Sequence, residues 1–165
     1  MTINPVTPDQ YESLTDLLFE LHSFYNHPPT ASRAEINDHL LKNLLAGDSN
    51  IQLIVASEHS TVIGFAAILW QYSLVEPAAE QRKQCQLKEL YVRSAHRGSG
   101  AGKALVTWIA QFALANGCGR MDWHVKASNE RGIKFYSKLG GELVADRLSF
   151  RLPSASMLKL TQNQY

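Results

Sequence analysis

The stretch LKELYVRSAHRGSGAGKAL, residues 87–105, decides how this chain is read. An apolar-rich run leads into Gly98, Gly100 and Gly102 at alternate positions, with Arg97 and Lys103 at either end, and a helical pattern follows. Glycine lets a backbone take φ > 0 and come close to an anion with no Cβ in the way. The amides of a following first helical turn then point at the anion, and the helix dipole adds about 0.3–1 kcal/mol. An ordinary strand-to-helix turn needs one glycine, not three. Two phosphate-binding patterns fail here. A P-loop needs Gly-x-x-x-x-Gly-Lys-Ser/Thr, but Arg97 stands at the first glycine and Ala104 at the hydroxyl. A dinucleotide fingerprint needs Gly-x-Gly-x-x-Gly, and its third glycine falls on Lys103 or Leu105. The pattern Arg/Gln-x-x-Gly-x-Gly/Ala is met by Arg97, Gly98, Ser99, Gly100, Ala101 and Gly102, and it implies a bound pyrophosphate.

Working outward, TINPV at the start reads as a short strand. Tyr11, Leu14, Leu17, Leu18, Leu21 and Tyr25 then recur at helical spacing. Thr7 with Gln10 forms a capping box, Pro8 suits the first turn, and the prolines at 28 and 29 stop the helix. A second box, Ser32 with Glu35, opens a helix over 33–45. Strands are expected at 51–57 and 62–72, joined as a hairpin, and at 84–92. A helix over 103–117, a strand over 120–126 and a helix over 129–139 come next. The segments 141–144 and 148–152 read as two closing strands. The expected fold is α/β: a mixed, mostly antiparallel twisted sheet of about seven strands with helices on both faces, in the order β-α-α-β-β-β-α-β-α-β-β. No repeat, linker or low-complexity tract divides the 165 residues, so one domain over 1–165 is expected.

Sixteen Lys and Arg against fifteen Asp and Glu give a formal charge of +1, without the basic stripe of a nucleic-acid binder. The six histidines show no His-x-x-x-His spacing, so no metal is expected. Cys85 and Cys118 belong to no Cys-x-x-Cys pair and read as reduced, inert thiols. The first ten residues lack a secretory apolar core, and no apolar run reaches membrane-spanning length, so a cytoplasmic protein with no membrane partner is expected.

The 87–105 motif resembles the strand-loop-helix pyrophosphate motif of the GNAT superfamily of acetyl-CoA-dependent N-acetyltransferases. A second match lies downstream: NERGIKFYSKLGG, 129–141, is similar to the family's Asn-x-x-Ala-x-x-Phe-Tyr-x-x-x-Gly-Phe. Asn129, Phe135, Tyr136 and Gly140 fit, while Gly132 replaces the alanine and Gly141 the final aromatic. The resemblance implies acetyl-CoA as donor, held by the main chain of Leu90, Tyr91 and Val92 along its pantetheine arm. Residues Arg97–Lys103 would hold its pyrophosphate, with Asn129 and Phe135 contributing further on. It implies Tyr136 as the acid that protonates the departing thiolate in a direct transfer. An ammonium acceptor must first lose a proton; Glu89 is the candidate base, with His124 the alternative.

The resemblance is nearest to the diamine (spermidine/spermine-type) branch, which implies a small primary amine, a polyamine or another diamine, as acceptor. Phe24, Tyr25, Asn26 and His27 are the expected lining residues. A polycation needs several carboxylates to replace its hydration, and WQYSL, 70–74, lacks one. Two other readings stay open: a silent acyl-CoA sensor, and an acetyltransferase of protein N-termini or lysines. The ending RLSFRLPSASMLKL, 147–160, offers a terminal strand for a second copy, so a homodimer is expected.

Overall fold

The computed structural model describes residues 1–162. It divides into two compact units, Met1–Lys126 and the residues from Ala127 onward.

The first unit is built on a five-stranded sheet in the order β1-β2-β3-β4-β5. Strand β1 is Thr2–Pro5, β2 Gln52–Glu58, β3 Thr61–Tyr72, β4 Lys83–Val92 and β5 Arg120–Trp123. The first four pair antiparallel, and β5 joins β4 in parallel. Between β1 and β2 lie α1 (Tyr11–Tyr25) and α2 (Arg33–His39); α3 (Ala101–Ala115) is the crossover from β4 to β5. Both expected capping boxes form. The Gln10 side-chain oxygen accepts from the Thr7 amide at 3.0 Å, and Glu35 accepts from the Ser32 amide at 2.8 Å. The run after α2 widens into a π turn over Leu40–Leu44, closed by the Leu45 amide on the Leu40 carbonyl.

Alternation along the strands puts a core on each face. On one, Leu14 and Leu17 of α1 and Leu40 pack with Leu53 and Val55 of β2, Phe65 and Ala67 of β3, and Tyr91 of β4. On the other, Leu105, Ile109 and Ala113 form the buried stripe of α3, at helical spacing. Gly64 lets α3 lie close: a Cβ there would stand 3.3 Å from Leu105 Cδ1 and 3.1 Å from the Tyr91 carbonyl. Both cysteines are free and buried, Cys85 in β4 and Cys118 just ahead of β5. Burial, with a smaller push from Cys118, drives the Cys85 thiol up to about 12.

In the second unit α4 spans Glu130–Lys138 and α5 Ser154–Gln162. Here the sequence reading needs correction. The expected strands at 141–144 and 148–152 do not form, so the sheet has five strands rather than about seven, and the order closes on two helices. Alternation in LSFRL suits a strand, but a strand exists only with a ladder partner, which local pattern cannot supply. Pro153 then accepts from the Ser156 and Met157 amides and starts α5, where the sequence reading expected no helix. No helix of the described residues is long and apolar enough to cross a membrane.

Candidate active site

Strands β4 and β5 pair from Gln84–Arg120 to Leu87–Trp123 and then part, while β4 runs on to Val92. Neighbouring β3 residues Ala67 and Ile68 face Glu89 and Leu87, so Lys88 is an extra residue that bulges β4 just where pairing with β5 ends. Past the bulge, the Arg93 amide donates to the Ile63 carbonyl at 2.8 Å. Antiparallel bonding alternates. Glu89 and Tyr91 therefore bond toward β3, and the main-chain groups of Leu90 and Val92 face the edge that β5 has left. There the Val92 carbonyl accepts from Arg97 Nε at 3.2 Å. The opening lies at the carboxyl ends of two parallel strands, where α/β sheets take their ligands.

The loop that follows shows why two of its glycines are needed. Gly98 has φ +88° and Gly100 φ +92°, a region that costs other residues about 1–2 kcal/mol. Gly100 is the N-cap of α3, yet no side chain caps this helix and no acidic residue stands in its first turn. Helix geometry leaves the first-turn amides of Ala101, Gly102 and Lys103 without an intrahelical acceptor. Ser99 Oγ reaches only the Ala101 amide, at a long 3.4 Å. Gly102 lies inside the first turn, where a missing Cβ leaves the amides open to approach. The arrangement is a bare, positively poled helix end fit for an anion.

Two carboxylates stand along the last part of β4 and the turn after it, and their surroundings shift their pKa values in opposite directions. Burial raises Glu89 above the ordinary carboxylate range, against the Leu90 amide, the Tyr25 hydroxyl, Lys88 and Lys126, which all favour the charged form. Burial also pushes Glu20 up, but its partners outweigh that and hold it low. The Ser94 amide donates to it at 2.8 Å, the Tyr91 hydroxyl at 3.1 Å, and Arg93 pairs with it at 3.5 Å.

The structure gathers Phe24, Tyr25, Glu89, Tyr91 and Arg97 into one neighbourhood. The Phe24 ring lies 5.3 Å from that of Tyr25 and 6.1 Å from that of Tyr91. The Arg97 guanidinium stands 5.3 Å from the Tyr91 ring and 5.6 Å from Phe24. Asn26 instead turns back to cap α1, donating to the His22 carbonyl at 3.0 Å, and His27 sits in the exposed loop before Pro28. His124 is exposed beyond β5. In the second unit, Asn129 caps α4 by accepting from the Gly132 amide at 2.9 Å, and the Phe135 and Tyr136 rings meet edge to face at 5.0 Å. Gly132 makes room for that cap, because a Cβ there would come within 2.6 Å of Asn129 Nδ2.

Two contributors escaped the sequence reading: Arg93, which fixes Glu20, and Lys126, whose Nζ stands 4.9 Å from the Tyr25 ring. The strand expected over 120–126 ends at Trp123 instead, and the place of Lys126 as last residue of that expected strand was the available signal.

The sequence profile of the acetyltransferase (GNAT) family matches residues 12–141. The chain belongs to the GNAT acetyltransferase family. Among curated relatives, it is 27% identical over 107 residues to a thialysine N-epsilon-acetyltransferase of Mus musculus, covering 63% of this chain and 60% of that protein. It is 29% identical over 82 residues to an L-ornithine N5-acetyltransferase of Arabidopsis thaliana, covering 50% of this chain and 34% of that protein. This GNAT chain thus spans less than two thirds of the length of these relatives. Its fold is also that of an integron cassette protein from the mobile metagenome of V. cholerae, with a TM-score of 0.88, 26% identity and 98% of both chains covered.

Proposed function

We propose that the chain is an acetyl-CoA-dependent N-acetyltransferase that moves the acetyl group directly to a primary amine of a small molecule. One observation carries this reading: the opening between β4 and β5 leads straight into the bare end of α3. An extended ligand with a diphosphate at one end and an amide-bearing arm at the other suits that path. The main chain of Gly98, Ser99, Gly100, Ala101, Gly102 and Lys103 holds the diphosphate, with charge from Arg97 and Lys103. Leu90 and Val92, beside Tyr91, offer main-chain partners to the arm, and an amide there polarises the thioester carbonyl. Asn129 and Phe135 are assigned to the donor by the family motif they belong to.

In the transfer, Glu89 takes a proton from the acceptor nitrogen, which attacks the carbonyl carbon. The C–N bond forms, the C–S bond breaks, and Tyr136 protonates the leaving sulfur. Phe24 and Tyr25, with Asn26 and His27 behind them, line the acceptor side. The two curated relatives are named for acetylation at the N-epsilon and N5 nitrogens of small molecules, which supports a primary amine as acceptor. The family match crosses the division after Lys126, which supports one domain over 1–165.

The reading includes a homodimer. Leu148, Phe150 and Leu152 are exposed at alternate positions, with no ladder partner, and two copies of that segment can pair antiparallel about a twofold axis.

The test is thiol release from acetyl-CoA across a panel of amines. We expect release with at least one amine and a fall of about 10²–10⁴-fold in Tyr136→Phe. Tight CoA binding with no release from any amine would instead support the sensor reading.

A further inference from the structure

Three side chains from different parts of the first unit meet where β4 and β5 part: Tyr25 at the end of α1, Glu89 after the bulge, and Lys126 three residues past β5. Lys126 Nζ stands 4.9 Å over the Tyr25 ring, and both the Tyr25 hydroxyl and the Lys126 charge act on the Glu89 carboxylate. Glu20, the other carboxylate held at the end of β4, is already occupied by Arg93, Tyr91 and Ser94. Glu89 stands in no such ion pair among the described residues, and the charges that act on it are those of Lys88 and Lys126. A site for a polycation needs the opposite balance, several carboxylates replacing water around each ammonium.

We propose that Lys126 is a specificity residue that binds a carboxylate of the acceptor, so that the preferred substrates are amino acids with a distal primary amine rather than diamines. This rests on the acetyltransferase reading and narrows its acceptor. The distal amine goes to Glu89 for deprotonation, and the carboxylate goes to the Lys126 ammonium on its flexible four-carbon stem. In a diamine, a second ammonium takes the place of that carboxylate and meets Lys126 with like charge. Lys126 is exposed, so the fold does not depend on it.

The experiment compares kcat/KM for L-ornithine and L-lysine with that for their carboxylate-free counterparts, 1,4-diaminobutane and 1,5-diaminopentane. The amino acids are expected to win by about ten-fold or more, the usual scale for one charge-assisted contact. The ratio should fall toward one in Lys126→Gln and invert in Lys126→Glu. Equal or better use of the diamines by the unaltered protein would overturn the role of Lys126, as would a Lys126→Gln that slows both classes alike. Either result leaves the acetyltransferase reading standing. If all four compounds are silent the carboxylate inference fails, and only silence across the wider amine panel brings down the parent reading as well.

Discussion

Glu89 and Glu20 should respond to pH with opposite signs. Burial raises Glu89, so the folded chain favours its protonated form. Its contribution to stability is then fully present below the unfolded carboxylate pKa and is lost as pH rises through the folded one. Glu89→Gln should therefore melt at a higher temperature than the parent at neutral pH, with the gain gone in acid. The same change should cut kcat by about 10²–10⁴-fold and remove an acid limb of the rate profile that lies above the ordinary carboxylate range. A Glu89→Gln with full activity would hand the base to His124 or to water. Glu20 is the reverse case. Its folded pKa is lowered, so it stabilises above the unfolded value and stops doing so as pH falls through the folded one. Glu20→Gln should cost about 1–3 kcal/mol near neutrality by leaving Arg93, Tyr91 and Ser94 short of an acceptor, and denaturant melts should show that cost shrinking in acid. The sequence offered Glu89 as the candidate base, but only the fold shows Glu20 held by Arg93, Tyr91 and Ser94.

Among the elements, α3 separates the work of its glycines. Gly100→Ala places a Cβ at φ +92° and should destabilise the chain by about 1–2 kcal/mol. Gly102→Val sits at a helical position, where valine is no worse a helix former than glycine. Its melting temperature should hold while CoA affinity falls about ten-fold or more, as calorimetric titration would show. Unchanged affinity would place the diphosphate elsewhere. Elements whose signals are local were legible in the sequence: Ser32 and Glu35 announce α2, and the glycine run announces α3, which starts at Ala101 rather than Lys103. The bulge at Lys88 was not legible, because it is defined only by which β3 residues face it.

At the scale of the whole molecule, legibility follows the distance over which a pattern must find its partner. The order from β1 through α4 could be read from periodicity and turn residues. The closing strands could not, since GELV and LSFRL carry the alternation of a sheet without a sheet to join. Leu148 and Phe150 stay exposed as a result, at 83% and 93%. Phe150→Asp should shift the chain from dimer to monomer in sedimentation equilibrium and leave helix content intact. A parent chain that sediments as a monomer would remove the twofold pairing from the proposal. The concealed sulfurs of Cys85 and Cys118 have a practical consequence at the bench. Neither is available as a nucleophile, so a disulfide-exchange dye added to a running reaction will register only the sulfur that leaves the donor. Colour developing from enzyme alone will mark the moment the chain unfolds.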